Sequence, residues 1–390
     1  MSEIKVNSIK GVGASTAAIT VNNTDGTCTA NLTNRTNKNL IINGAMQVAQ
    51  RGTSSTSSGY QTVDRFVVNY GGTDEAPTQA QVDVASGTSP YTSGFRKALK
   101  ITNGNQTSGA GATDYVNFGH KIEAQDIANS GWNYTSTSSF ITLQFWIKSS
   151  VAQVFYGYLQ TRDGSEYSYP FSTGSLSADT WTKVTKTIPG NSNLQFDNNN
   201  GSGLEFYING FLGTDYTDNS RSLDSWAAQS DATHFPDMTS TWYTTNDATL
   251  EFTGLQLEVS DHATDFEHRS FAQELALCQR YYYLHLSGTS KPVGMFVGFT
   301  STGMYGMLQF PVTMRANPTF EQTTGTNYYR ALYQGGGVDN FNSFDGIWTV
   351  STTSVFINAQ SNDGLSISSK DAVFSDSSNA SAKLAFTAEL

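Results

Sequence analysis

Between residues 252 and 283 the hydrophobic pattern changes period, and that change limits the folds open to this chain. Leu255, Leu257 and Val259 alternate with Gln256 and Glu258, the period of a strand with one buried face. From Ser270 the spacing turns helical, with Phe271, Leu275, Cys278 and Tyr282 three or four residues apart. Ser270 and Gln273 stand at the spacing of a capping box, which satisfies two orphan backbone donors at a helix start. At about 100° per residue, Phe271, Leu275, Cys278 and Tyr282 fall in one narrow arc, while Leu277 and Tyr281 lie a quarter turn or more away. The helix therefore has two apolar faces. One sandwich covers one of them; the other must meet a further domain of the chain or a second copy. A single helix between β-rich blocks marks a joint between domains.

The rest of the chain reads as mainly β, in blocks. Its 390 residues exceed what one core usually fills. Only 14% are charged and 12% are aromatic, a profile of many short strands joined by polar turns rather than of disorder. Residues 1–38 form a small, polar arm with short alternations at Ile4/Val6 and Ile19/Val21 and a turn at 23–26. Strands that short need a partner, because isolated hairpins are marginal in water; the alternative for this arm is a disordered tail. Residues 39–260 read as a β-sandwich. Ile141, Leu143, Phe145 and Ile147 alternate with Thr142, Gln144, Trp146 and Lys148, and Leu204, Phe206 and Ile208 with Glu205, Tyr207 and Asn209. At Gly254 the alternation shifts by one, which predicts a bulge. Residues 124–129 suit one helical turn. Residues 261–285 form a linker with the helix, and 286–390 a smaller C-terminal β-sandwich domain.

Several segments together resemble bacteriophage tail fibre proteins. They are Gln256-Leu257-Glu258-Val259, Phe266-Glu267-His268-Arg269-Ser270 and Glu274-Leu275-Ala276-Leu277-Cys278-Gln279-Arg280-Tyr281-Tyr282. Asn39-Leu40-Ile41-Ile42-Asn43-Gly44-Ala45-Met46 resembles the start of that family's jelly-roll domain, and Val63-Asp64-Arg65-Phe66 its next strand. Leu143-Gln144-Phe145-Trp146-Ile147-Lys148-Ser149-Ser150 and Thr187-Ile188-Pro189-Gly190 follow in order, and Phe386-Thr387-Ala388-Glu389-Leu390 resembles the family's ending. The resemblance covers residues 39–285 well and the rest thinly. It implies a jelly roll similar to carbohydrate-binding sandwiches, and a homotrimer whose interface includes Phe271, Leu275, Leu277, Cys278, Tyr281 and Tyr282. It further implies a virion location, synthesis in the host cytoplasm, and an arm at 1–38 that holds another virion tail protein. Host-surface glycan adhesion is the implied function, with the C-terminal domain as the host-facing tip. A capsid decoration, head-fibre or collar protein is the alternative, and a polysaccharide depolymerase a second.

Charge and motifs bound the chemistry. A net charge of −11 argues against a nucleic-acid binder, which clusters Lys and Arg against phosphates. Met1-Ser2-Glu3-Ile4-Lys5 lacks the apolar core of a signal peptide, and no run approaches the ~20 apolar residues of a membrane span. Cys28 and Cys278 lie in different segments, so a disulfide framework is not expected. No nucleophile elbow, zinc-protease motif, P-loop or dinucleotide fingerprint is present. The His262, Asp265, Glu267 and His268 group lacks a ligand-set spacing, and 197–201 lacks the closing glutamate of a calcium loop. No metal, cofactor or catalytic residue is assigned. Asp64, Glu123, Asp163, Glu166 and Glu205 are carboxylates of the type that glycoside cleavage needs, with nothing in the sequence to pair them.

Sugar binding finds better candidates. Sugar rings have apolar faces that lie on aromatic side chains, while their hydroxyls pair with amides and carboxylates. Trp146 with Gln144, and Tyr156 with Tyr158, fall on the non-core faces of their strands. Tyr328, Tyr329, Tyr333 and Trp348 form a second candidate group in the C-terminal block. The alternative for both groups is packing against loops, a neighbouring domain or the core.

Overall fold

The computed structural model describes residues 36–333, 335–360, 364–367 and 372–390, together with 7–10, 12, 17–22, 24 and 28–30 of the arm. In the arm, Ser8–Ile9, Ile19–Val21 and Cys28–Ala30 make a three-stranded antiparallel sheet. The Ile4/Val6 alternation and most of the turn at 23–26 lie outside the described residues.

Two six-stranded antiparallel sheets form the large sandwich. In the first, the order is Ala227–Ala228, Tyr167–Ser175, Val154–Thr161, Ser202–Leu212, Tyr115–Glu123, Phe66–Gly71. In the second it is Thr182–Pro189, Phe140–Ser149, Thr249–Val259, Lys97–Thr102, Thr78–Asp83, Ser54–Ser55. Inward side chains from both sheets meet at Phe252, whose ring lies 4.8 Å from Phe118 and 4.9 Å from Phe145 between centroids. Each such side chain contributes about 1.5–3 kcal/mol by leaving water.

The phase shift at Gly254 is a bulge. Thr253 pairs with Trp146, but the next partner of Gln144 is Gln256. Gly254 has φ +69°, and a Cβ there would stand 2.7 Å from Phe95 Cζ, so only glycine fits without strain. Beyond the bulge the expected half-buried strand is buried on both faces. A strap at 260–267 crosses its outer side: Glu258 accepts from the Thr264 backbone at 2.9 Å and hydroxyl at 2.6 Å, and Gln256 from Glu267 N at 2.8 Å.

The helix begins as its sequence predicts. It spans Phe271–Gln279, and Ser270 and Gln273 form the reciprocal capping box, with Gln273 N donating to Ser270 Oγ at 3.3 Å and Ser270 N to Gln273 Oε1 at 3.0 Å. It stops earlier than the apolar spacing implies. Tyr282 is not helical but opens the strand Tyr282–Ser287, paired with Lys383–Thr387. The face packed inward carries Glu274 and Cys278; Glu274 accepts from Asn43 N at 2.5 Å and faces Arg269 at 3.5 Å.

A seven-stranded sheet and a three-stranded sheet make the C-terminal sandwich. The larger runs Gly337–Phe341, Tyr329–Tyr333, Ala372–Ser377, Pro292–Thr300, Gly303–Gln309, Ser354–Ala359, Gly346–Val350. The smaller runs Tyr282–Ser287, Lys383–Thr387, Thr319–Gln322.

Buried charge joins the two sandwiches. Arg280, at the helix end, donates to Glu123 at 2.6 and 2.7 Å, and the Tyr281 hydroxyl donates to the same carboxylate at 2.5 Å. Arg65 pairs with Glu389 and lies 3.4 Å over the Tyr281 ring. Arg51 reaches the same glutamate at 3.2 Å and covers the Tyr282 ring at 3.6 Å.

That joint takes up three of the six residues expected to meet a second copy. Cys278, Tyr281 and Tyr282 are wholly covered by this chain's own residues. Leu275 and Leu277 are half-buried, and Phe271 alone of the six is open. Among the described residues no helix is long and apolar enough to cross a membrane.

Candidate functional site

The strand Phe140–Ser149 lies inside the second sheet, between Thr182–Pro189 and Thr249–Val259. Its alternation turns Ile141, Leu143, Phe145 and Ile147 into the core and Thr142, Gln144, Trp146 and Lys148 outward. The strap at 260–267 divides the outward four. Thr142 donates to Ser260 O at 2.9 Å and Gln144 Nε2 to Thr264 O at 2.6 Å. Gln144 is therefore buried under the strap with its amide nitrogen committed, and does not present the free amide the sequence suggested. Trp146 and Lys148 lie beyond the strap and stay half-open.

Around Trp146 the register assembles an aromatic surface. Its cross-strand neighbours are Lys183 on one side and Thr253 on the other. Lys148 is opposite Glu251, with Nζ 2.9 Å from Oε1 and 5.3 Å from the Trp181 ring centroid. Glu251 is in turn opposite Lys100. Tyr91, Trp146, Trp181 and Phe266 are all partly open and rest on a small buried cluster of Ala45, Val84, Phe95 and Ala98. Phe95 fixes Phe266 edge-on at 4.7 Å, and the Arg96 guanidinium covers the Tyr91 ring at 3.9 Å. The result is a shallow face with two indoles, flanked by Lys100, Lys148, Lys183 and Glu251. Chemically it offers flat apolar surface beside hydrogen-bonding and cationic groups.

The other sequence candidates do not join it. Tyr156 and Tyr158 are on the outer face of the first sheet, as their alternation requires, but residues 213–238 fold over that face. Phe235 stacks on Tyr156 at 5.2 Å and His234 on Tyr158 at 4.7 Å. Burial drives the His234 imidazole down to about 4 and pushes the Tyr158 hydroxyl up, as expected for a sealed surface. In the C-terminal sandwich Tyr329 is core, its hydroxyl donating to Thr323 O at 2.8 Å and Lys383 O at 3.1 Å. Tyr328 and Tyr333 pack against the same core, whereas Trp348 stands on the opposite face, 69% exposed. Those four residues are not one cluster.

Trp181, Tyr91 and Phe266 were missed. Trp181 had a signal: it precedes Lys183, Thr185 and Thr187 in the outward phase of a strand whose Val184 and Ile188 point inward.

The carboxylates considered for glycoside cleavage each have structural partners. Glu123 holds Arg280, Asp64 accepts from Gln50 N at 2.9 Å, and Asp163 from Asp197 N at 3.0 Å. Glu166 and Glu205 share Arg162 at 2.9 and 3.6 Å. In the linker, Glu267 accepts from Asn39 N at 2.8 Å and His268 Nε2 bonds Ser93 O at 3.0 Å. A separate polar cleft of about 860 Å³ opens where residues 36–42 meet the short helix Ala124–Ala128. Its lining includes Asn37, Gln125, Asp126, Asp261 and His262 and contains no Trp, Tyr or Phe.

No protein-family model matches the sequence, and no curated protein matches it. Among solved structures, part of the chain is similar to the enzymatically active domain of tailspike protein 4 of bacteriophage CBA120. The identity is 11% and the TM-score 0.31, over 57% of this chain and 21% of that one. A putative sugar-binding protein from Bacteroides thetaiotaomicron is similar at 11% identity and TM-score 0.29, over 57% of this chain and 100% of that one. The N-terminal cellulose-binding domain of Cellulomonas fimi β-1,4-glucanase C is similar at 13% identity and TM-score 0.27, over 55% and 98%. Likeness this slight carries no argument about function, and the β-sandwich stands on its own strand order.

Proposed function

We propose that this protein is an adhesin of the bacteriophage tail-fibre type, which binds a host-surface glycan through the open face of its second sheet. The observation that carries the reading is the pair of half-open indoles, Trp146 and Trp181, beside Lys148, Lys183 and Glu251 on a rigid strand framework. A sugar ring stacks on the indoles, and its hydroxyls or acidic substituents meet the lysines. In this reading residues 1–38 attach to another virion tail protein, and the subunits act as a homotrimer. Three weak sites on one particle then gain effective concentration without new contacts.

Binding to surface polysaccharide from candidate hosts, followed by tryptophan fluorescence, tests it. Trp146→Ala and Trp181→Ala should each weaken binding about tenfold or more, on the order of 1.4 kcal/mol. Tyr329→Phe, in the C-terminal core, should leave it unchanged. Equal binding by all three variants would place the glycan elsewhere, and antibody labelling of whole particles separates tail from capsid placement.

A further inference from the structure

Among the described residues, the seven-stranded sheet is covered on one face only. Its inward side chains, including Phe296, Leu308, Tyr329 and Ile357, share a core with Leu384 and Phe386 of the smaller sheet. On the outward face the strand register draws a straight apolar row. Val338 is opposite Leu332, Leu332 opposite Phe374, Phe374 opposite Met295, and Met307 opposite Phe356. Phe296 faces Gly306, so Met295 and Met307 adjoin and close the row. Beside it Val297 faces Tyr305, whose ring meets Phe299 at 5.3 Å and Trp348 at 5.0 Å.

Eight large apolar side chains on this face are between 42% and 72% exposed. At roughly 150–250 Å² for a large side chain, they present on the order of 900 Å². The largest apolar patch on an ordinary monomer is about 300–600 Å². A stable interface buries about 800 Å² on each partner. Charge narrows the partner. The chain carries a net −11, so copies repel one another over most of their surface. Among the described outward positions of this sheet the charged residues are Arg330 and Asp376, which neutralise each other at 2.8 and 2.5 Å. The row of Val, Leu, Met and Phe has no donors for sugar hydroxyls, which separates it from the Trp146 face.

We propose that this sheet face is the contact between copies of this chain, each copy burying its apolar row against the same sheet of a neighbour. The proposal rests on the assembly part of the function given above and moves the contact from the linker helix to the C-terminal sheet. A neutral apolar patch of this area, meeting its copies around one axis, suits the closed cyclic contact of a trimer. Sedimentation velocity of the full chain, over about a hundredfold range of concentration, tests it. The wild type should sediment as a multiple of 42.2 kDa. Phe374→Asp and Met307→Lys, both pointing to solvent in one copy, should shift it to monomer with unchanged circular dichroism. Phe271→Asp on the linker helix should stay assembled. A monomeric wild type overturns the proposal, and that measurement needs no variant. So does assembly that survives both sheet substitutions, or assembly that Phe271→Asp alone abolishes. A dissociated variant that still binds polysaccharide, with weaker avidity, separates this contact from the glycan face.

Discussion

Replacing Glu123 with leucine should loosen the joint between the two sandwiches by about 3–4 kcal/mol. Glu123 has no exposed surface, and its carboxylate accepts four hydrogen bonds: two from Arg280, one from the Tyr281 hydroxyl and one from Gln125 at 2.6 Å. Burial alone would raise its pKa, but the Arg280 and Tyr281 bonds outweigh burial and hold it below the usual glutamate range. The group is therefore ionised at neutral pH. Removing one partner of a buried ion pair costs about 3–5 kcal/mol, because the survivor is left uncompensated. Arg280 keeps 28% of its side chain in water and recovers part of that. The Tyr281 hydroxyl is buried and recovers little, at about 1–3 kcal/mol for a lost acceptor. Urea denaturation at pH 7, followed by tryptophan fluorescence, should show the midpoint fall in Glu123→Leu. The double variant with Arg280→Met should regain much of it, since two apolar groups of similar size replace a desolvated pair. A double-mutant cycle should give a coupling of about 2 kcal/mol. Additivity within about 0.5 kcal/mol, or a single-variant loss below about 1 kcal/mol, would refute the argument that this pair clamps the joint.

Acid should act on the large sandwich through groups of opposite sign. His234 is held at about 4 by burial, so the unfolded chain takes that proton first, and its contribution is lost as pH falls from about 6.5 towards 4. Burial raises Asp64 to about 6, so there the folded chain protonates first and gains stability as pH falls through the same window. His234→Phe keeps the ring stacked on Tyr158 and deletes a nitrogen, Nδ1, that has no partner. This variant should stabilise between pH 7 and 5 relative to wild type, whereas Asp64→Asn should lose stability more steeply; parallel urea midpoints for all three proteins would exclude both assignments. Gly254→Ala forces a side chain onto φ +69° and against Phe95. A cost of about 1–3 kcal/mol is expected, and a midpoint unchanged from wild type would show that the bulge can relax.

Local signals were legible in the sequence and contacts across the fold were not. The helix start is written in Ser270 and Gln273, three residues apart, and the bulge in a one-residue change of phase at Gly254. The helix end is set from far away, by Glu123 binding Arg280 and by the strand Lys383–Thr387 taking Tyr282. Gln144, Gln256 and Glu258 read as a wet face because the pattern along a strand cannot register a strap that crosses it. The same holds for Tyr156 and Tyr158 under residues 213–238. Trp146 was readable as an outward indole, and Trp181 could have been, from the phase of Val184 and Ile188.

Among the described residues two sheet faces stay open, and in the proposed reading their chemistry divides the work between them. Both carry more apolar surface than a wet sheet needs. Around Trp146 the rings are few, half-sunk and interleaved with lysines and a glutamate, so water competes well and any contact is weak and reversible. That suits a ligand which must be sampled and released. Across Phe374 and Met295 the row is continuous, flexible in its methionines and without net charge, so leaving it in water costs more than covering it. That suits a partner that stays. If the weak face and the permanent one belong to the same particle, the permanent contact supplies the multivalency that the weak one requires. Disrupting Phe374 should then reduce adhesion even though no residue near Trp146 has changed.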